Sequence, residues 1–250
     1  KSSAASDVYK RQVYKNLLGI TLGTGFGAGV VIDSRLLTGD NGCGGDVWIM
    51  RNKKYPEMIA EESVSIRAVR RVYQELTGKD ASSLTPKDIY DIAEGTAEGD
   101  QQAAVRSFNE LGEMAGDAII RALNIVDGLV VIGGGVAGAV KYILPGIMNE
   151  MNRQIGTFAG ASFPCLQMEV FNLSEKEAFD KFLKEKDKMV KIPFSEREVH
   201  YACHKKIGIA VSTLGASRAV ALGAYSFALS QLNIRGEKRC VSKFGRSENI

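Results

Sequence analysis

The sequence predicts an α/β protein with a mixed sheet flanked by helices, and three observations point there. Short β-branched runs cluster between residues 17 and 37, helical apolar spacing dominates from 59 to 126, and "GLVVIGGG" at 128–135 passes through a glycine turn into a further helix. Tightly linked strands pair antiparallel, whereas a strand that turns into a helix belongs to a parallel arrangement, so the two together predict a mixed sheet.

Each element follows from local chemistry. "LLGITLG" and "AGVVID" are β-branched runs separated by "TGFG", and "SR" leads into "LLTG", which predicts three short antiparallel strands. From Ile59 to Glu75 the apolar residues Ile59, Val64, Ile66, Val69 and Val72 alternate with arginines at helical spacing. In "LTPKDIYDIAEG" a threonine before a proline starts a helix and Gly95 stops it. The stretch from Ala97 to Asp127 reads as one long helix, with Val105, Phe108, Leu111, Ala115, Ile119 and Leu123 near one face.

The second half is patterned less evenly. "GLVVIGGG" is a buried strand, "AVKYILPGIMNEMNRQI" returns as helix, and "PCLQMEVFNL" supplies another strand. Residues 174–206 are charge-rich and read as a surface excursion, while "GIAVSTLGASRAVALGAYSFALSQL" reads as a closely packed helix of small residues. Residues 1–12, "KSSAASDVYKRQ", are polar and aperiodic and are expected to be a non-native leader; residues 234–250 form a polar tail expected to be disordered. The body of the protein is expected at 13–233.

Composition removes whole classes of function. A chain of 250 residues with 45% hydrophobic residues can bury a substantial core. The formal net charge of +3 is too small to imply nucleic acid or an anionic membrane as partner. The four cysteines, Cys43, Cys165, Cys203 and Cys240, form no C-x-x-C pair, which argues against a disulfide framework and fits a reducing cytoplasm. No apolar run reaches the roughly 18–20 residues that span a bilayer, so the chain is expected to be soluble.

The glycine runs carry the chemistry. A hairpin of the form L-G-T-G-x-G-x-G exposes backbone N–H groups to an anion, and a threonine hydroxyl adds a donor. The run Gly133, Gly134 and Gly135 lies where a strand meets a helix, a position suited to nucleotides. Either run alone is explained equally well as a tight turn. The two runs together are more informative than either.

At these residues the chain resembles the ROK family of sugar kinases and related repressors, which share the actin-like ATPase (ribonuclease H-like) fold. "GITLGTGFGAGVVIDSRLLTGDNGCGGDV" is similar to its second phosphate segment and sugar loop, and "IVDGLVVIGGGVAGA" to its adenosine segment. The resemblance runs from about residue 17 to 233 and implies the C-terminal lobe of a glucokinase-like enzyme. It implies that Thr24, Gly25 and Gly27 meet ATP phosphates, that Gly133, Gly134 and Gly135 flank the adenosine, and that Asn41 and Gly42 lie in the sugar loop. Mg²⁺ with ATP and a homodimer, both in the intact parent, are implied by the same resemblance, while the cysteine usage points to the cytoplasm.

The departures matter as much. Where the family has G-E-x-G-H, whose glutamate and histidine bind sugar and whose histidine also ligates a structural zinc, this chain has "GDVWI". Asp46 keeps an acceptor, Trp48 replaces a glycine, and Ile49 can neither hydrogen-bond nor bind metal. The family's zinc-binding cysteines are replaced by "RNKKYPEMIAEESVSIR", so no zinc is expected. The family's next sugar-binding glutamate best matches Glu62, with Glu61 second. Both could equally be helix-start carboxylates, Asp46 a turn residue and Trp48 core or rim. His200, Cys203 and His204 are close in sequence but have no second cluster to complete a metal site.

Neither the N-D-x-N segment that supplies the family's proton acceptor nor the D-x-G-G-T phosphate segment occurs in the sequence. The chain alone is therefore expected to be inactive, with ATP-dependent hexose phosphorylation a property of an intact parent. A sugar-sensing ROK repressor, a catalytically degenerate sugar-binding protein and a generic nucleotide-binding α/β protein remain the alternatives.

Overall fold

The structure is a computed structural model that describes residues 14–184, 187–202 and 205–244; the expected leader lies outside them. The chain divides into two units, Lys1–Ser212 and Thr213–Ile250.

In the first unit a six-stranded sheet has the order β3-β2-β1-β4-β10-β7. Its strands are β1 (Leu17–Leu22), β2 (Phe26–Ile32), β3 (Arg35–Leu36), β4 (Leu129–Gly133), β7 (Glu169–Asn172) and β10 (Lys206–Val211). β1, β2 and β3 pair antiparallel, whereas β4 joins β1 in parallel and is followed by β10 and then β7, also parallel. The sheet is mixed, as the sequence predicts. Two hairpins stand outside it: β5 (Gln154–Gly156) with β6 (Ser162–Pro164), and β8 (Asp187–Lys191) with β9 (Glu198–Ala202).

Strand periodicity assigns the faces. On β1 the alternate residues Leu18, Ile20 and Leu22 are buried, and they join Val130, Ile132, Ile207 and Ile209 in one core. Helices cover that face: α1 (Ile66–Thr77), α2 (Pro86–Ala93), α3 (Gln101–Val126) and α4 (Val140–Met151). Of these, α3 is the central element, burying Phe108, Leu111, Ile119 and Leu123 in the same core. Each such side chain stabilises the fold by about 1.5–3 kcal/mol relative to exposure. The opposite face is smaller, where α5 (Lys176–Leu183) packs Phe182 against Leu129, Leu173 and Ala210.

Capping sets the helix starts. Thr85 and Asp88 form a reciprocal capping box at α2, followed by Pro86, and the Asp100 side chain accepts from Ala103 N at 2.9 Å to start α3. Gly95, with φ of +73°, follows α2 as the expected stop.

Several expected boundaries are corrected. The helix expected from Ile59 starts at Ile66, because 60–62 is a separate 3-10 turn whose residues turn toward the sheet instead of continuing the helical face. The helix expected to run to Ile155 ends at Met151, and Ile155 lies on β5. Residues Gly208–Val211, expected in a helix, belong to β10, which fills the slot between β4 and β7. The charged excursion contains α5 and the β8–β9 hairpin. In the second unit α6 (Ala216–Phe244) extends through the expected tail as far as Phe244.

Candidate functional site

The two glycine runs meet at one end of the two central strands of the sheet. β1 and β4 are parallel neighbours with Thr21 opposite Gly133, so the turn after each strand emerges at the same end. The Gly23 site lies 3.9 Å from Gly135 N, measured from where a Cβ would stand. Sequence positions more than a hundred residues apart thus form one continuous glycine surface. Gly134 has φ of +100°, and a Cβ there would lie 2.2 Å from Leu22 O, so this contact between adjacent strand ends needs glycine twice over.

The hairpin between β1 and β2 is tied from below. Gly23 N donates to Gly25 O at 3.1 Å, and Ile66 N, at the start of α1, donates to Gly23 O at 3.1 Å. Phe26 N donates to Glu61 Oε2 at 3.0 Å, and a side chain on Gly25 would strike that carboxylate. Thr24 is exposed at the tip, and Gly27 lies on β2 opposite Thr21. The N-terminus of α1 therefore abuts the hairpin, with Ile66 N already used by Gly23 O, and the positive end of the helix dipole favours negative charge there. At that same N-terminus the Ser65 hydroxyl is buried without a hydrogen-bond partner. Its position was not singled out in the sequence, since one serine before an apolar run is an ordinary helix start.

A cleft of about 480 Å³ continues from the glycine surface. Ile66 links it to the hairpin; Gly135, Val136 and Ala139 form its floor beyond β4, and Lys87, Tyr90 and Phe108 bring α2 and α3 to it. Tyr90 and Phe108 meet edge to face with centroids 6.4 Å apart. The hydrogen bond to Glu94 pushes the Tyr90 hydroxyl pKa up, keeping it protonated. Lys87 at its rim is paired with Asp91, and an apolar, partly aromatic slot of this size suits a flat heterocycle.

The expected sugar residues are grouped less tightly. Asn41 and Gly42 are exposed in the loop after β3, and Asp46 is exposed at the start of the 3-10 turn Val47–Ile49. Trp48 is rim rather than core, at 38% exposure. Glu62 is half-exposed and accepts from Arg67 Nη2 at 3.0 Å, while Glu61 accepts from the same nitrogen at 3.3 Å and from Phe26 N. The structure therefore attaches Glu61, the second choice of the sequence reading, to the hairpin. Local spacing could not separate the two, because the deciding contact spans 35 positions of the chain. Cys203 and His204 lie outside the described residues.

Comparison with known proteins gives the family and the fold. The model of the ROK family matches residues 1–174. A glucokinase from Parabacteroides distasonis ATCC 8503 is 54% identical, with a TM-score of 0.79, over 87% of this chain and 59% of its own. A candidate sugar kinase from Cytophaga hutchinsonii ATCC 33406 shares the fold at 20% identity and a TM-score of 0.55, over 90% of this chain and 62% of its own. The chain thus spans about three fifths of the length of these structures. No curated protein matches it significantly.

Proposed function

Since the chain belongs to the ROK family, we propose that it is the C-terminal lobe of an ATP-dependent hexose kinase acting on glucose or a related aldose or N-acetylhexosamine. The observation that carries this reading is the junction of the two glycine turns beside the 480 Å³ cleft. ATP phosphates would lie on Thr24, Gly25 and Gly27 at the N-terminus of α1, and the adenosine against Gly133, Gly134 and Gly135 with its base in the cleft. Backbone N–H groups and the helix terminus supply fixed positive potential there without a reorganisation cost. Mg²⁺ would bind with the triphosphate and neutralise charge that develops on transfer.

On the sugar side, Asn41, Gly42 and Asp46 would line the loop, with Glu61 taking the place assigned to Glu62. Phosphorylation forms a bond from a sugar hydroxyl oxygen to the γ-phosphorus and breaks the bond to the β,γ-bridging oxygen, which leaves with ADP. The hydroxyl proton needs an acceptor. In this reading the intact parent supplies it from an N-D-x-N aspartate, and this chain supplies orientation and electrostatics. The homodimer and the cytoplasmic setting belong to the same proposal.

A catalytically degenerate sugar-binding protein is the second reading, favoured by Ile49 where the family has a ligand histidine. A coupled ADP-release assay of the parent protein over a hexose panel separates them. Turnover dependent on both ATP and an aldose supports the kinase; hexose binding without turnover supports the degenerate protein.

A further inference from the structure

The family resemblance implies a zinc beside residues 46–62, and the residues found there do not fit one. Among the described residues no three His, Cys, Asp or Glu side chains come together as a metal-binding group. The segment instead carries Arg51, Asn52, Lys53 and Lys54, and it faces two buried carboxylates on the main helix pair. Lys53 Nζ donates to Glu150 Oε2 on α4 at 2.6 Å, and Lys54 Nζ donates to Glu110 Oε1 on α3 at 2.7 Å. Glu150 also accepts from Arg153 Nε at 2.7 Å. Both of these buried carboxylates already hold an ammonium group from the loop, so a divalent cation binding to them would have to displace a charge covalently tied to the chain.

The rest of the loop is closed by side-chain and backbone hydrogen bonds, an Arg51–Glu57 ion pair and a cation–π contact. Asn52 is buried and fully used: Nδ2 donates to Ile59 O at 3.1 Å and Ser63 Oγ at 2.8 Å, and Oδ1 accepts from Lys54 N and Tyr55 N, both at 3.0 Å. Arg51 and Ile59 pair as an isolated antiparallel bridge. Tyr55 lies under the Arg71 guanidinium of α1, 5.0 Å from its centroid. The exit of this closed loop is Ala60–Glu62, the turn that presents Glu61 to the hairpin.

We propose that Lys53 and Lys54 close the 51–62 loop in place of a metal ion and act as positioning residues for Glu61. The closure itself stands on the geometry alone, while its consequence for hexose binding rests on the kinase reading. Hydrogen exchange on the purified chain tests it, comparing wild type with Lys53→Met/Lys54→Met and with Lys53→Arg/Lys54→Arg. In the methionine pair, amides 52–63 should exchange faster by about tenfold or more while the α3 core stays protected, and the arginine pair should restore most of the protection. EDTA should leave the wild type unchanged. Unaltered loop exchange in the methionine pair, or opening of the wild-type loop by EDTA, would overturn the proposal.

Should the methionine pair unfold because Glu110 and Glu150 are left buried and unpaired, adding Glu110→Gln and Glu150→Gln removes those charges. The same exchange comparison then decides. Glucose titration, followed by emission from Trp48, the only tryptophan, separates the two levels. Loop opening with weakened glucose binding supports positioning, and loop opening with undiminished glucose binding overturns it. Where the isolated wild-type chain binds no hexose, the titration is made on the intact parent; a parent that binds none refutes the kinase reading and leaves the ionic closure to be judged by exchange alone.

Discussion

The Glu61 carboxylate accepts the Phe26 N–H at 3.0 Å, joining the turn at 60–62 to the glycine hairpin. One oxygen of Glu61 holds the hairpin while the other meets Arg67. The residue thus couples the expected sugar side of the site to the expected phosphate side.

Replacing Glu61 with alanine orphans a largely buried N–H, and the expected loss is about 1–3 kcal/mol of stability. Glu62→Ala removes only an exposed pairing with Arg67 and should cost no more than about 1 kcal/mol. Urea unfolding of the two variants checks the order. Equal losses would place the anchor elsewhere.

Gly134→Ala should be among the most damaging single substitutions in the sheet. It places a side chain at φ of +100° and a Cβ 2.2 Å from Leu22 O. Strain and clash together predict a loss on the order of 3 kcal/mol. Gly135, with nothing within 4 Å of its Cβ site, is the control and should tolerate alanine. Thermal unfolding of both variants gives the comparison.

Glycine in the middle of a helix ordinarily costs about 1 kcal/mol relative to alanine. At the crossing of α3 and α4 the sign reverses. A Cβ on Gly112 would lie 2.1 Å from Ile143 O, and one on Gly146 2.3 Å from Asn109 O. Either alanine should destabilise by about 2 kcal/mol through forced separation of the helices. A gain in urea midpoint would contradict that packing.

The cap of α2 predicts a pH dependence. Hydrogen bonds from the Thr85 backbone and side chain hold the Asp88 carboxyl pKa below its ordinary value. A depressed folded-state pKa adds stability above the unfolded pKa, and that stability is lost as pH falls through the folded value. The urea midpoint of the wild type should therefore exceed that of Asp88→Asn at neutral pH, with the gap closing in acid below the ordinary aspartate range. A gap independent of pH would show that the carboxylate charge is not what caps the helix.

Much of this was legible in short-range pattern. Thr85-Pro86 and Gly95 bounded α2, apolar spacing traced α3, and the glycine runs marked the turns that the sheet brings together. The failures share a cause. Gly208–Val211 has small apolar residues with no period of its own, and only its place between β4 and β7 makes it a strand. The turn at 60–62 breaks a run of helical spacing because Glu61 is drawn to Phe26. The roles of Lys53 and Lys54 had no local signal, since their partners lie on helices 97 and 56 positions away.

The central claim is that the two glycine turns and the adjoining cleft form one nucleotide site. Photolabelling the chain with 8-azido-ATP, followed by tryptic mapping, tests it most directly. The account predicts label in peptides 88–106 or 122–141, which carry Tyr90 and Val136–Ala139, with loss of label when ATP is added in excess. Label that ATP does not displace, or that maps only to other peptides, would contradict it.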